Sequence, residues 1–209
     1  MTKNKLVSVI MSAHNSEATI NESIDSILNQ SYEKLEFLII DDGSTDNTYE
    51  KIKKYKQIKV FQNKINLGLT KSLNFLISKA KGDYIARQDA DDVSHLNRIE
   101  KQMTLMERYD LDFSSARALT HPGNKIRPGL TFYLPKRLVM KYKNPFIHGT
   151  LLIKKSIFEE VGFYNEKFYF SQDYKLMDDL VRKGYKYKVL KEPLYNLNIE
   201  NNISQNKKT

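Results

Sequence analysis

The 209-residue chain contains no cysteine and no tryptophan, and its apolar runs are only a few residues long. Without cysteine no disulfide can form, and nothing in the sequence indicates secretion. The apolar runs are far shorter than the roughly 20 residues that span a bilayer. No signal-peptide core precedes the first apolar stretch. We therefore expect a soluble, cytoplasmic protein.

Glycine and proline are also scarce, with 8 and 5 residues, and no segment rich in Pro, Gly or Ser divides the chain. A chain of this length with 40% hydrophobic residues can bury one sizeable core, so we predict a single domain over residues 1–209. No Gly-x-Gly-x-x-Gly follows a predicted strand, which argues against a dinucleotide-binding dehydrogenase. Helix-turn-helix, zinc-finger and RNA-binding signatures are absent. We expect no nucleic-acid partner despite the net charge of +9.

Stretches with strand and helix periodicity alternate along the first half of the chain. Short apolar runs at residues 6–11, 37–40, 59–61 and 84–86 are typical of buried strands. Two predicted helices lie between these runs, each with one apolar face. The first face is Ile20, Ile24, Ile27 and Leu28, and the second is Leu69, Leu73, Leu76, Ile77 and Ala80. The expected N-caps are Ser16 for the first helix and Thr45 or Asp46 for the second. This alternation predicts an α/β domain with a mostly parallel central sheet flanked by helices.

Polar residues follow three of the predicted strands, at residues 12–15, 41–44 and 89–92. Ligands bind beyond the carboxyl ends of the strands in open α/β sheets, so this edge is the predicted site. Asp89, Asp91 and Asp92 lie within four positions, and like charges raise each other's pKa unless a cation lies among them. Oxygen ligands suit Mg²⁺ or Mn²⁺. The alternative is a polar turn after an edge strand.

The second half carries fewer motifs. Residues 112–118 and 149–153 are predicted strands, and Ser156 opens a capping box whose helix should end at Gly162. A further helix follows Asp173. A helix N-terminus favours aspartate for capping alone, which is the structural explanation for this residue.

Several of these segments, in this order and spacing, resemble glycosyltransferase family 2. They are Val-Ser-Val-Ile-Met-Ser-Ala-His-Asn at 7–15, Ile-Leu-Asn-Gln-Ser-Tyr at 27–32, Glu36, Asp-Asp-Gly-Ser-Thr-Asp at 41–46, Asn66-x-Gly68, the run from Ala80 to Asp92, Asn-Pro-Phe-Ile-His-Gly-Thr at 144–150, Gly-Phe-Tyr at 162–164 and Ser-Gln-Asp at 171–173. The resemblance covers residues 6–195. It implies the GT-A fold, a nucleotide-sugar donor, a divalent metal and inversion at the anomeric carbon. It also implies a nucleotide-sugar-binding half over about residues 1–115, an acceptor-binding half over about 116–195 and a tail at 196–209.

The resemblance assigns the donor side of the site. It implies that Asp91 is the ligand of Mn²⁺ or Mg²⁺, and that Asp89 or Asp92 assists it or binds the ribose. Further implied contacts are Asp42 with the imide N–H of uracil, Ser12 and His14 with the faces of the base, and Lys71 and Arg87 with the diphosphate. Many relatives have tyrosine at the position of His14, and an imidazole can also stack on a pyrimidine.

The resemblance also assigns the acceptor side. It implies that Asp173 is the catalytic base and that His148 and Gly149 lie close to the transferred sugar and the acceptor. A histidine before a buried strand also has a purely structural explanation. Relatives often carry an arginine and a histidine at the positions of Leu197 and Ile199, so a metal or phosphate contact from the tail is not expected here.

The predicted function is transfer of one sugar, from a UDP-sugar by preference, to a hydroxyl of a glycan or lipid-linked acceptor in cell-surface polysaccharide synthesis. A processive synthase would carry Gln-x-x-Arg-Trp, which a chain without tryptophan cannot contain. A catalytically inactive nucleotide- or glycan-binding relative is one alternative, favoured by Leu197 and Ile199. A nucleotidyltransferase is the other, but it usually has a glycine-rich basic loop after its first strand, and residues 12–15 do not form one.

Residues 132–146 form the densest basic and aromatic segment of the chain. One interpretation is contact with anionic lipid headgroups at the inner membrane surface, or with a phosphorylated acceptor. The favoured interpretation is an amphipathic core helix with a solvated lysine face.

Overall fold

A computed structural model describes residues 5–168 and 171–200, which are organised around one mixed sheet. The strands are β1 (Val7–Ala13), β2 (Leu35–Asp42), β3 (Lys59–Asn63), β4 (Tyr84–Arg87), β5 (Val93–Ser94), β6 (Phe113–His121), β7 (Ile126–Arg127), β8 (Leu152–Lys154) and β9 (Tyr187–Asn198). The helices are α1 (Ile20–Leu28), α2 (Thr48–Ile52), α3 (Leu69–Lys79), α4 (Arg98–Arg108), α5 (Lys136–Val139), α6 (Lys155–Val161) and α7 (Gln172–Arg182). Two 3₁₀ turns, Leu130–Tyr133 and His148–Thr150, complete the list.

The sheet has the order β3-β2-β1-β4-β8-β6-β9-β5, with β7 paired to β6. Strands β3, β2, β1 and β4 run parallel, and β8 joins β4 in the antiparallel sense. The register sets Ala13 opposite Asp41 and Asp42 opposite Asn63. The polar turns after β1 and β2 therefore meet at one edge, as the sequence predicted.

Apolar layers cover both faces of the sheet, which is the usual arrangement for parallel strands. Alternate residues of β1 point to opposite layers, with Val9 packed towards α1 and α4 and Ile10 towards α3 and α7. The predicted buried faces of α1 and α3 are largely confirmed, because Ile20, Ile24, Ile27, Leu73, Leu76 and Ile77 are all buried. The predicted burial of Leu69 is wrong, because this residue is the first of α3 and its side chain is exposed.

Two predicted helix starts are also wrong. Thr19, and not Ser16, is the N-cap of α1, and Ser16 contributes only its carbonyl oxygen to the preceding turn. Helix α6 begins at Lys155 directly after β8, so Ser156 lies inside the helix and caps nothing. Gly162 does end α6, in the left-handed conformation with φ of 86°. Asp46 accepts the backbone N–H of Thr48 at 2.9 Å, although the N-cap of α2 is Asn47.

The predicted amphipathic core helix in residues 132–146 is wrong. The segment contains the end of a 3₁₀ turn and the single helical turn α5, with Pro135 as the residue before α5. Val139, Met140 and Phe146 are buried, but the other apolar side chains of the segment do not share a buried face with them.

The last strand extends further than the sequence indicated. Strand β9 continues to Asn198 and pairs with both β5 and β6, so the predicted tail begins inside the sheet. Residues 201–209 of that tail lie outside the described residues. Among the described residues, none of the helices combines the length and apolar character needed to cross a membrane.

Candidate active site at the carboxyl ends of the parallel strands

The strand-end rim, defined as residues 12–15, 41–44 and 89–92, contains most of the predicted site residues. Asp42 is the last residue of β2 and is only 2% exposed. Its carboxylate accepts the side-chain amide of Asn63 at 2.7 Å and the backbone N–H groups of Leu67 and Gly68 at 3.0 and 2.9 Å. These donors occupy three of about four acceptor positions of the carboxylate. Asp42 therefore orders the loop that leads into α3, and one acceptor position remains for a ligand.

His14 lies beside Asp42 with an exposed ring. Its Nδ1 is 3.0 Å from the backbone carbonyl oxygen of Asp42. A carbonyl oxygen only accepts, so Nδ1 carries the proton and the ring orientation is fixed. Ser12 is half-buried at the end of β1. The two predicted wall residues thus lie at the same strand ends as Asp42.

The loop after β1 is tied to the loop after β2 by hydrogen bonds that the sequence did not reveal. The Asn15 N–H donates to Ser44 Oγ at 3.0 Å, and the Thr45 N–H donates to Asn15 Oδ1 at 2.9 Å. Asn15 itself has a left-handed backbone with φ of 49°, a conformation that asparagine tolerates better than most residues. The two loops therefore form one rigid wall.

Asp91 presents an exposed carboxylate at the tip of the third loop. Partial loss of hydration, followed by the negative charge of Asp89, raises its pKa to about 6. Asp89 is partly exposed, with 28% of its side-chain surface accessible. The two carboxylates are close enough to repel, which is the arrangement that a cation between them would relieve.

Arg87 does not lie where a diphosphate can contact it. Its side chain is fully buried, with the guanidinium donating to Asp89 Oδ1 and to the backbone oxygen of Gln88, the latter at 2.9 Å. The direct contact predicted from the sequence is therefore wrong for this conformation. Arg87 instead fixes the orientation of Asp89 from below.

Asp92 also faces inward, with 2% exposure. Burial, together with the charges of Asp89 and Asp91, raises its pKa to about 8. Its Oδ1 accepts the backbone N–H of Asn198 at 2.7 Å, so the end of β9 is fastened to this loop. A role of Asp92 beside the metal or at a ribose stays a prediction, and Asp89, with 28% of its side-chain surface accessible, is the more open of the two carboxylates.

A second buried arginine, Arg98 of α4, closes the site from beneath. Its guanidinium donates to the backbone oxygens of Gly149 at 3.1 Å and Arg87 at 3.0 Å. Complete burial lowers its pKa to about 10. The Arg98 side chain thus joins the two chain segments that border Asp89.

Gly149 is positioned where no side chain fits. A Cβ atom there would lie 2.3 Å from the hydroxyl oxygen of Tyr195 and 2.7 Å from Asp89 Oδ2. The Tyr195 hydroxyl in turn accepts the backbone N–H of Asp89 at 3.1 Å. Gly149 is itself buried, and its close packing against Asp89 explains the glycine at this position.

His148 lies between the two halves of the site. Its Nε2 is 2.8 Å from the Tyr164 hydroxyl. Burial, followed by the charge of Arg87, lowers the pKa of His148, and the charges of Asp173 and Asp89 act in the opposite direction. The segment 144–149 that contains His148 also contacts both carboxylates, because Asn144 donates to Asp173 and Gly149 packs against Asp89.

Asp173 is the second residue of α7, where the helix dipole favours a carboxylate. Its side chain is half-buried, and Oδ2 accepts the side-chain amide of Asn144 at 3.0 Å. Ser171, the N-cap, has φ of 62° and offers no side-chain cap to the helix. Asp173 therefore has a fixed carboxylate directed to Asn144 and near His148.

Lys71, the other residue predicted to contact the diphosphate, lies on the surface of α3. It lies in the first turn of α3, three residues after Gly68, and its side chain is exposed. The structure shows no contact between Lys71 and the carboxylates of the strand-end rim. Any contact with a diphosphate stays a prediction.

The carboxylates fit a divalent ion that is held jointly with a ligand. Among residues 5–168 and 171–200, no group of three His, Cys, Asp or Glu side chains is arranged as a complete metal site. Asp91 and Asp89 supply two mutually repelling oxygen ligands. Mg²⁺ is usually bound by one or two carboxylates together with substrate phosphates, and this donor set matches that pattern.

Four residues of the site were missed from the sequence: Gln88, Arg98, Asn144 and Tyr195. Arg98 carries a detectable signal, because it shares the helical face of Ile99, Gln102, Met103 and Met106, all of which are buried. An arginine on an apolar face indicates a buried ion or hydrogen-bond network. Gln88 is also buried, with Nε2 donating to the Asp92 carbonyl oxygen at 2.8 Å and Oε1 accepting from Ser94 Oγ at 2.7 Å. Asn144 and Tyr195 reach the site only through tertiary contacts, which local sequence patterns do not predict.

Comparison with known proteins identifies relatives of this chain. The sequence model described as "Glycosyl transferase family 2" matches residues 8–162. The putative glycosyltransferase EpsE of Bacillus subtilis (strain 168) is 39% identical over 175 residues, which cover 78% of this chain and 62% of EpsE. The O-antigen biosynthesis glycosyltransferase WbnJ of Escherichia coli is 32% identical over 212 residues, covering 96% of this chain and 82% of WbnJ. This chain thus spans less than two thirds of EpsE.

Solved structures share the fold. S. aureus TarS 1-349 in complex with UDP-GlcNAc matches with a TM-score of 0.81 at 20% identity, over 98% of this chain and 61% of that one. The mannosyltransferase PcManGT from Pyrobaculum calidifontis, in complex with GDP-Man and Mn²⁺, matches with a TM-score of 0.77 at 20% identity, over 92% and 56%. The predicted GT-A fold is confirmed.

Proposed function

Since this chain belongs to glycosyl transferase family 2, we propose that it transfers one sugar from a nucleotide-sugar donor to a hydroxyl of a glycan or lipid-linked acceptor, with inversion. The observation that carries the proposal is the grouping of three carboxylates. Asp89 and Asp91 lie on the strand-end rim, Asp89 packs closely against Gly149, and Asp173 accepts from Asn144 at 3.0 Å, five residues before Gly149. An inverting displacement needs carboxylates at two places: one pair for the metal and diphosphate, and one opposite them for the acceptor.

The nucleoside is proposed to bind at the ends of β1 and β2. His14 presents a ring of fixed orientation, held by its contact with the Asp42 carbonyl oxygen at 3.0 Å, on which a pyrimidine can stack. The remaining acceptor position of the Asp42 carboxylate suits the imide N–H of uracil, and Ser12 lies near the end of the adjacent strand β1. The complex of TarS with UDP-GlcNAc supports a uridine nucleotide as the first donor to test.

Asp91, with Asp89 beside it, is proposed to hold the divalent ion together with the donor diphosphate. When bound, a divalent ion offsets the charge that develops on the leaving diphosphate. The fully buried Arg87 prevents Asp89 from rotating away, because its guanidinium is fixed by the backbone oxygen of Gln88 at 2.9 Å. The Mn²⁺ in the complex of PcManGT supports the choice of metal.

Asp173 is proposed as the general base. The acceptor hydroxyl attacks the anomeric carbon, its proton moves to Asp173, and the bond to the diphosphate oxygen breaks on the opposite side. Asn144 holds the Asp173 carboxylate by donating to Oδ2 at 3.0 Å, which leaves Oδ1 for the acceptor. His148, whose pKa is lowered, stays neutral at pH 7 and adds no competing positive charge.

Replacement of the base tests the proposal. In Asp173→Asn the amide oxygen can still accept from Asn144, so the helix start should be retained while proton removal is lost. We expect kcat to fall by about 10²-fold or more, with donor affinity almost unchanged. The readout is release of UDP from UDP-sugars in the presence of Mn²⁺ and an acceptor panel.

The matched control is Asp179→Asn, on the same helix, where the carboxylate only pairs with Lys175 at i−4. Turnover of this variant should equal that of the wild type. Full activity of Asp173→Asn would show that Asp173 only stabilises the N-terminus of α7 and is not the general base. Binding of donor by the wild type without any turnover would favour the inactive relative instead.

A further inference from the structure

The net charge of the chain arises in one segment. No Asp or Glu occurs between Asp112 and Glu159, whereas nine Lys and Arg residues do: Arg117, Lys125, Arg127, Lys136, Arg137, Lys141, Lys143, Lys154 and Lys155. The net charge of the whole chain is also +9, so the remaining residues balance each other. A segment of one sign produces a positive potential around its exposed residues.

The centre of this segment exposes large apolar side chains. Leu130 and Tyr142 are 87% and 88% exposed, and Tyr133, Leu134 and Leu138 are between 53% and 64% exposed. Arg137, Lys141 and Lys143 lie among them with exposed side chains. We call these eight residues the basic apolar face. Five large apolar side chains this exposed within residues 130–142 are typical of a surface that meets a partner or a membrane.

The backbone beneath the basic apolar face is held in place. The Lys136 ammonium donates to the carbonyl oxygens of Thr131 and Leu134 at 3.3 Å each, and the ring of Phe132 packs against Arg117 and Lys136. These contacts fix the 3₁₀ turn against α5. The exposed apolar side chains are therefore displayed by a structured turn.

This face adjoins the proposed acceptor side of the site. The Tyr174 hydroxyl, one residue after Asp173, donates to the backbone oxygen of Met140 in the same segment. Asn144, which follows Lys143, donates to Asp173 at 3.0 Å. A surface bound to the basic apolar face would thus lie next to the proposed base.

We infer that the basic apolar face docks on an anionic lipid bilayer. Leucine side chains enter the boundary between headgroups and acyl chains, tyrosines favour the interface, and Lys and Arg extend towards anionic headgroups. A second copy of the chain fits less well, because two faces without a carboxylate would repel each other. A nucleic acid would meet the charges but would leave Leu130, Leu134 and Leu138 without a partner.

Co-sedimentation of this chain with vesicles tests the inference without depending on the proposed activity. We expect partitioning onto vesicles of phosphatidylcholine with phosphatidylglycerol, and at least about tenfold weaker partitioning onto phosphatidylcholine alone. Added salt should weaken the binding. Leu138→Ser with Tyr142→Ser should lower partitioning about tenfold or more, since both side chains lose apolar area that enters the membrane.

Two charge-reversal variants distinguish binding through the basic apolar face from binding through the overall positive charge of the chain. Lys141→Glu with Lys143→Glu should abolish most binding, whereas Lys54→Glu with Lys56→Glu makes the same change in net charge at exposed positions elsewhere and should have little effect. Equal losses in the two pairs would overturn the inference. Absence of binding to anionic vesicles would also overturn it, as would a dimer in sedimentation equilibrium that Tyr142→Ser dissociates.

Discussion

The strand-end rim buries charged side chains, whereas the basic apolar face exposes apolar ones. In the rim, charged side chains such as Asp42 and Asp92 are buried and accept several protein donors, and Arg87 and Arg98 lie fully buried behind them. In the basic apolar face, the large apolar side chains point outwards and only the backbone beneath them is fixed. Burial of charge and exposure of apolar surface both cost free energy. Each arrangement is therefore expected where a ligand or partner is bound.

We expect the largest difference in the free energy of unfolding between the two regions when an arginine is replaced in each. Arg98→Met removes the donors to the backbone oxygens of Gly149 and Arg87 while preserving most of the side-chain volume. We expect the free energy of unfolding to fall by about 2–5 kcal/mol, because each of the two buried carbonyl oxygens loses its donor at a cost of about 1–3 kcal/mol. Chemical denaturation measures it.

Arg137→Met is the counterpart in the basic apolar face. Its side chain is exposed, so the free energy of unfolding should change by less than about 0.5 kcal/mol. Similar losses in the two variants would show that Arg98 is not the buried link described above.

A smaller difference in effect is expected between alanine variants of two glycines, one in each region. In Gly149→Ala the new Cβ would lie 2.3 Å from the Tyr195 hydroxyl oxygen, so Tyr195 or Asp89 must move. The expected loss is about 1–3 kcal/mol in the free energy of unfolding, with a fall in metal-dependent nucleotide affinity as Asp89 shifts.

Gly129→Ala, next to Leu130, is the control. The nearest atom to its added Cβ is the Ile126 carbonyl oxygen at 3.7 Å, so no neighbouring atom must move. This variant should keep the nucleotide affinity of the wild type. A tolerated Gly149→Ala would mean that Asp89 is not confined as the structure indicates.

The smallest of these effects is expected at Asp42. In Asp42→Asn the amide nitrogen can no longer accept, so one of the donors Asn63, Leu67 or Gly68 loses its partner. The free energy of unfolding should fall by about 1–2 kcal/mol, and UDP should bind more weakly. Asp83→Asn is the control, because Asp83 forms only an exposed ion pair with Lys5 at 3.7 Å. A normal UDP affinity in Asp42→Asn would remove Asp42 from the proposed uracil site.

The same contrast explains which features the sequence predicted. Strand–turn–helix repeats in a parallel sheet bring successive strand ends to one edge, so Asp42 and Asp91 could be placed from local pattern alone. Burial within a turn could not be read in this way. Asp89, Asp91 and Asp92 look alike in sequence, but Asn198 on the distant strand β9 accounts for the inward position of Asp92. Residues 132–146 were misinterpreted because helical spacing of apolar residues usually indicates a buried face, and here no core element covers it.

The most direct test of the account is a calorimetric titration of UDP into the wild type and Asp91→Asn, each with Mn²⁺ and with EDTA. Asp89 and Asp91 should repel a diphosphate until a cation lies between them, and desolvation followed by the charge of Asp89 already raises the pKa of Asp91 to about 6. The wild type should therefore bind UDP at least about tenfold more tightly with Mn²⁺ than with EDTA, and Asp91→Asn should lose most of that gain. Equal affinity of the wild type in EDTA, or an undiminished Mn²⁺ effect in Asp91→Asn, would contradict the account.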